Sequence, residues 1–249
     1  MEDFIKISRS ELEPLTEVCK YIDEGQAVPL NFSKDGFELK TLNTTSTCLC
    51  EAHITPKDFL SYNVAKPFSI CCDLNLLHRI LKKMSSYELS FSVKDNRFVI
   101  SSSEERFAIP LISTEENKCP DLDNLKFDVE FETDKAELYK ILSSANIISN
   151  EIDLVVNGVA KFSTNTHQGE FEKTLKIRTT DKKTKKDIKA KFSIEYLKRL
   201  CERGSYGNLK IALSPKAILL SEPNLKIIVA SIVDEDYSND EVEEEEEEE

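Results

Sequence analysis

Apolar and polar residues alternate in short runs along most of this chain, and stretches of helical period interrupt the alternation. Residues 4–8 (FIKIS) read as a strand, since every second side chain is apolar. From Ser10 the period changes. Leu12, Leu15, Val18, Cys19 and Ile22 share one face of a helix running to about Tyr21, capped by Ser10, with Pro14 in the first turns where its missing amide costs little. AVPLNFS, FELKTLN and TCLCEAHIT then alternate as a meander, with a turn at Asp35 and Gly36. Pro56 opens a short connection, FSICC is a further strand, and Asp73 caps a second helix. YELSFSV, RFVISSS and RFAIPLI follow as two consecutive hairpins.

The pattern then repeats. DLNLLHRILKKM and its hairpins, residues 73–111, align without a gap on SIEYLKRLCERG and its hairpins at an offset of 120 residues: Leu77 on Leu197, Arg79 on Arg199, Leu89 on Leu209, Ser101 on Ser221, Ile109 on Val229. Such self-similarity implies two copies of one domain. Between them STEENKCPDLDNL is polar, aperiodic and contains Pro120, the composition of a linker. The second copy restarts with KFDVEFE, a helix capped by Thr133 or Asp134 with Leu138, Ile141, Leu142 and Ala145 on its buried face, and the strands EIDLVVN, VAKFST, FEKTLKIRT and IKAKFS. The boundaries implied are a first domain at 1–112, a connector at 113–126, a second domain at 127–233 and an acidic tail at 234–249. Each domain is of α+β class, two helices packed on a mostly antiparallel sheet.

Charge changes the picture only once it is located. The formal net charge is −13 over 249 residues, but twelve acids and no Lys or Arg lie from Asp234 onward, so the body is near −1. A neutral body can carry a basic patch, and the tail is too poor in apolar residues to fold. Seven cysteines lack both metal-ligand spacing and a secretion signal, which points to reduced core thiols and no metal site. No apolar run has the length of a membrane helix.

Catalytic arrangements are absent. His53, His78 and His167 neighbour no nucleophile motif, and the six glycines are scattered singly, without a phosphate-binding loop. An enzyme reading and a cofactor have no residues to stand on. The helices instead carry cations opposite their apolar stripes: Lys20; Arg79, Lys82 and Lys83; Lys140; Lys198, Arg199 and Arg203. A single such face is ordinarily just solvated, but repetition on four helices suits sequence-independent contact with phosphates.

The order and spacing of these elements, and the run PFSICCDLNLLHRILKKM at residues 67–84, resemble the sliding clamps of the proliferating cell nuclear antigen family over about residues 3–233. The resemblance implies a trimeric ring of pseudo-six-fold symmetry whose helices line a hole around duplex DNA. It implies no catalysis and no cofactor: a processivity factor for replication and repair, tethering DNA polymerase, nuclease and ligase and opened by a clamp loader. The basic positions of the bore fall on Lys20, Arg79, Lys82, Lys83, Lys140, Lys198 and Arg199, with Arg203 further along the last helix, whereas Glu13 and Pro14 stand where lysines are frequent in the family. Partners insert a short helical motif into a pocket that maps onto Leu42, Ser46, Cys119, Pro120, Leu122, Ala230, Ser231 and Val233, with Ser231 in the place of a usual proline. Subunits join through a strand containing Arg106, Phe107, Ile109 and Leu111 and a neighbour's strand containing Phe171, Lys173, Leu175 and Ile177.

Three readings share these residues: a homotrimeric clamp, a subunit of a heterotrimeric or checkpoint-type clamp, and a clamp-fold scaffold that binds proteins and not DNA. The first implies an intracellular protein with no membrane contact, nuclear in a eukaryote and in the cytoplasm or nucleoid of an archaeal or viral system. Two features lie outside the family pattern. The loop with Lys182, Lys183, Lys185 and Lys186 either is solvated or touches DNA or a partner, and the acidic tail is expected to screen nonspecific partners or to compete electrostatically for basic motifs.

Overall fold

The computed structural model describes residues 4–113, 119–120, 125–179, 187–201 and 207–233. Leu122, Arg203, the lysine loop at 182–186 and the tail at 234–249 lie outside the described residues. The chain divides into two compact units. Met1–Lys126 with Leu209–Ile211 and Leu219–Val229 make the first, and Phe127–Asn208 with Ala212–Ile218 and the remainder make the second.

In the first unit β1 (Phe4–Ser8) leads through a 3-10 turn (Arg9–Leu12) into α1 (Glu13–Val18). Ser10 therefore does not cap one long helix as its sequence suggests. Pro14 sits in the first α-helical turn, where it has no amide to offer, and the preceding residues close the tighter 3-10 turn instead. β2 (Ala27–Ser33), β3 (Gly36–Leu42) and β4 (Cys48–Ile54) form the meander. Gly36 is required between β2 and β3: its φ is +122°, and a Cβ there would lie 2.2 Å from the Ile54 carbonyl oxygen. The connection after Pro56 contains a strand that alternation does not mark, β5 (Phe59–Asn63). Among the described residues it pairs only with β1, at a sheet edge, and it is largely half-exposed.

β6 (Phe68–Asp73), α2 (Leu74–Lys83), β7 (Glu88–Lys94), β8 (Arg97–Ser101) and β9 (Arg106–Pro110) complete the first run. Two antiparallel arrays result in this unit. One has the order β5-β1-β7-β8-β9, and the other, β4-β3-β2-β6, is extended on the β4 side by a strand from the far end of the chain, β18 (Leu225–Ala230). Leu15 of α1, Leu77 of α2, Leu30 and Phe32 of β2, Phe91 of β7 and Phe98 of β8 meet in one core. Burial of these large side chains contributes roughly 1.5–3 kcal/mol each and fixes which face every element turns inward.

The second unit repeats the plan. β10 (Val129–Asp134) leads into α3 (Lys135–Ala145), followed by β11 (Glu151–Val156), β12 (Val159–Thr166), β13 (Gly169–Lys176), β14 (Arg178–Thr179), β15 (Ile188–Ser193) and α4 (Ile194–Arg199). Four of the strands form a sheet of order β13-β12-β11-β15, and β14 pairs with β10. Leu138, Ile141, Leu142 and Ala145 are buried along α3, as their spacing predicts. β16 (Asn208–Leu213) and β17 (Ala217–Glu222) each give residues to both units. Among the described residues no helix is long and apolar enough to cross a membrane.

Candidate functional site

The helices carry the candidate cations, and their caps set where those cations stand. The Asp73 carboxylate accepts the Leu76 amide at 2.9 Å and starts α2 there, so that Leu74, Leu77 and Leu81 are buried and Arg79, Lys82 and Lys83 project outward, exposed. None of these three makes an ion pair among the described residues. Lys82 and Lys83 occupy the last turn, where the partial negative charge of the helix end favours them.

A further cation reaches the same end. The Arg9 guanidinium donates to the Lys82 carbonyl at 3.3 Å and to the Met84 carbonyl, closing acceptors that the helix leaves open. Sequence reasoning missed Arg9, because it lies in the 3-10 turn and meets α2 only through the fold.

The remaining candidates are more constrained. Lys20 follows α1 and is ion-paired at 2.6 Å with Glu17, whose side chain is only 5% exposed. That carboxylate already offsets its charge, so any phosphate must compete with it. On α4 the Arg199 guanidinium pairs with Glu195 one turn earlier and lies over the Tyr196 ring, 5.0 Å from its centroid. Lys198 stands 5.3 Å from the centroid of Tyr139, which α3 contributes. Lys140 is exposed on α3 and, with Asp134, Glu137, Phe171 and Lys173, lines a groove of about 420 Å³ between that helix and β13. The two copies thus differ: α2 bears cations with no ion pair among the described residues, and α4 bears cations held by its own acid and by aromatic faces.

The expected partner-pocket residues fall on both units. Leu42 ends β3, and Ser46 lies in the following turn at φ +58°. Asn43, which sequence reasoning did not single out, organises that turn: its side-chain oxygen accepts the amides of Thr47 and Cys48, both at 2.9 Å. The Cys119 thiol donates to the Lys40 carbonyl of β3 at 3.7 Å, which ties the connector to the same strand, and Pro120 beside it is exposed. In the second unit Ala230 ends β18, the Ser231 amide donates to the Lys216 carbonyl at 2.9 Å, and Val233 is 74% exposed.

Three of the thiols are held in their protonated form. Burial pushes Cys19 and Cys72 up to about 12 and raises Cys119, which is only half-buried.

Both expected subunit strands are outermost in their sheets. Among the described residues β9 pairs only with β8, and β13 only with β12. On β9, Arg106 is exposed, Phe107 half-exposed and Ile109 buried, and Leu111 follows half-exposed; on β13, Phe171 is half-exposed, Lys173 exposed and Leu175 buried, and Ile177 follows half-exposed. Each edge leaves a row of main-chain donors and acceptors unused.

No protein-family model matches the chain. It is 27% identical over 140 residues to DNA polymerase sliding clamp 2 of Pyrobaculum aerophilum, which covers 51% of this chain and about half, 54%, of that relative. It is 25% identical over 197 residues to the DNA polymerase sliding clamp of Thermofilum pendens, 74% of this chain and 79% of the relative. Among solved structures it is similar to PCNA of A. fulgidus, determined with the C-terminal region of FEN-1 bound. The TM-score is 0.79 at 16% identity, covering 93% of this chain and 99% of that one.

Proposed function

We propose, with the PCNA-type sliding-clamp fold and the archaeal sliding-clamp relatives of this chain as the premise, that it is a DNA sliding clamp. Three copies close into a ring around duplex DNA inside the cell and hold a DNA polymerase and other replication and repair enzymes on it. The function is mechanical and involves no bond chemistry. One observation carries the reading: each unit presents an open β edge, β9 in the first and β13 in the second. Two unlike edges on one chain suit head-to-tail pairing, and a head-to-tail contact whose rotation closes makes a ring.

Arg79, Lys82 and Lys83 support the DNA-facing part of the reading, because exposed cations without base-reading neighbours suit contact with phosphates of any sequence. Held Lys20, Lys198 and Arg199 add weaker contacts, and weak contact suffices where the ring retains DNA by topology. Leu42, Ser46, Cys119 and Pro120 of the first unit suit a surface that takes short helical motifs of partner enzymes. The boundaries 1–112, 113–126, 127–233 and 234–249 are the working domain division.

Mass in solution together with polymerase stimulation on primed circular DNA tests this. A particle of three chains that stimulates synthesis on circles, and slides off once they are linearised, is expected. A monomer at every concentration that leaves synthesis unchanged would overturn it. Reversing Arg79, Lys82 and Lys83 to Glu should flatten the salt dependence of DNA association by about 3 in log–log slope, with the trimer mass retained.

A further inference from the structure

The direction in which each main-chain group of β9 points follows from two hydrogen bonds. The Ser102 amide donates to the Glu105 carbonyl at 2.8 Å, and the Leu111 amide donates to the Asn96 carbonyl at 3.1 Å. Residues of an antiparallel ladder alternate between turning their main-chain groups toward the partner and away from it. With the register Ser101↔Arg106 to Arg97↔Pro110, Phe107 and Ile109 turn theirs toward β8, and Arg106, Ala108 and Pro110 turn theirs to the open side. Arg106 and Ala108 each offer a donor and an acceptor there. Pro110 offers a carbonyl only, and its ring fills the place of the missing donor.

We infer that Pro110 is a stop for strand addition. A second copy of this chain docks its β13 antiparallel along Arg106 to Ala108 and no further, so the joint between copies is short and opens readily. This deepens the ring reading and rests on it.

The charge order along the two edges selects the occupant. β9 is approached through Glu104 and Glu105 before Arg106, and β13 runs from Glu170 and Glu172 to Lys173 and Lys176. An antiparallel alignment sets Glu104 and Glu105 beside the lysine end of β13 and Arg106 toward its glutamate end.

The full chain, Pro110→Thr and Ala108→Pro are compared by sedimentation over a concentration series. Both positions turn their main-chain groups outward, so neither substitution removes a bond to β8, and thermal melts at monomeric concentration check that the fold is kept. Pro110→Thr should assemble about five-fold more tightly per joint, having gained one donor there, and Ala108→Pro should remain monomeric where the parent assembles. An assembled parent with an unchanged midpoint in Pro110→Thr overturns the stop and leaves the ring reading standing. A parent and variants that all stay monomeric overturn the ring reading, and the stop falls with it.

Discussion

The two hairpin runs of this chain are laid out alike and end differently. α2 begins at Leu74 and α4 at Ile194, β7 at Glu88 and β16 at Asn208, β8 at Arg97 and β17 at Ala217, each pair 120 residues apart. The last strands part company. Among the described residues β18 has β17 on one side and β4 on the other, whereas β9 has β8 alone. Burial follows: Ile227, Ile228 and Val229 are all buried, while their counterparts Phe107 and Ala108 are half-exposed and only Ile109 is covered. Pro110 corresponds to Ala230. The same alternation serves an interior strand or an edge, and what differs is how many neighbours the backbone must satisfy.

Proline substitution at matched positions is the strongest way to break this comparison. Ile228→Pro removes an amide that faces a neighbour on whichever side it points, and should cost about 3 kcal/mol or more in urea denaturation. Ala108→Pro, its counterpart, should cost the isolated chain under about 1 kcal/mol, since that amide faces the open side. Equal losses would mean that β9 is not an edge in the isolated chain. Cavity formation comes next: Ile227→Ala should cost about 3 kcal/mol, and Phe107→Ala about half as much.

The helix starts sharpen the same contrast at a smaller scale. Asp73 caps α2 through the Leu76 amide, and Ser193 makes no such bond to α4. Asp73→Ala should therefore lower stability by about 1 kcal/mol and Ser193→Ala by no more than a few tenths; a reversed order would show that the cap bond is not what holds α2. The smallest effect belongs to Lys226, which pairs with Glu51 at 3.2 Å with its side chain 48% exposed. Lys226→Ala should shift stability by under about 0.5 kcal/mol. Arg106→Ala, at the matched edge position, should be as mild for the isolated chain but weaken assembly in a salt-dependent way.

Much of this was legible beforehand. The hairpins, the buried stripe of α3 and the cap at Asp73 follow from period and cap chemistry, which depend on residues a few places apart. β5 was missed because an edge strand needs no clean alternation, and α1 was overextended because Pro14 and a 3-10 turn divide what one apolar stripe suggests.

The cations divide in the same way. That α2 and α4 carry basic outer faces could be read from spacing alone. That Glu17 lies against Lys20, that Tyr139 lies under Lys198, and that Arg9 closes the end of α2 could be known only from the fold. By itself the sequence determined a duplicated α+β chain with basic helix faces and a late acidic tail, since periodicity, caps and composition are local properties. Only the tertiary structure decided which copy of the hairpin run ends in an open edge and which in a sheet interior. Strand neighbours and charge partners are set by residues far apart in the chain, β18 beside β4 above all, and no local pattern records them.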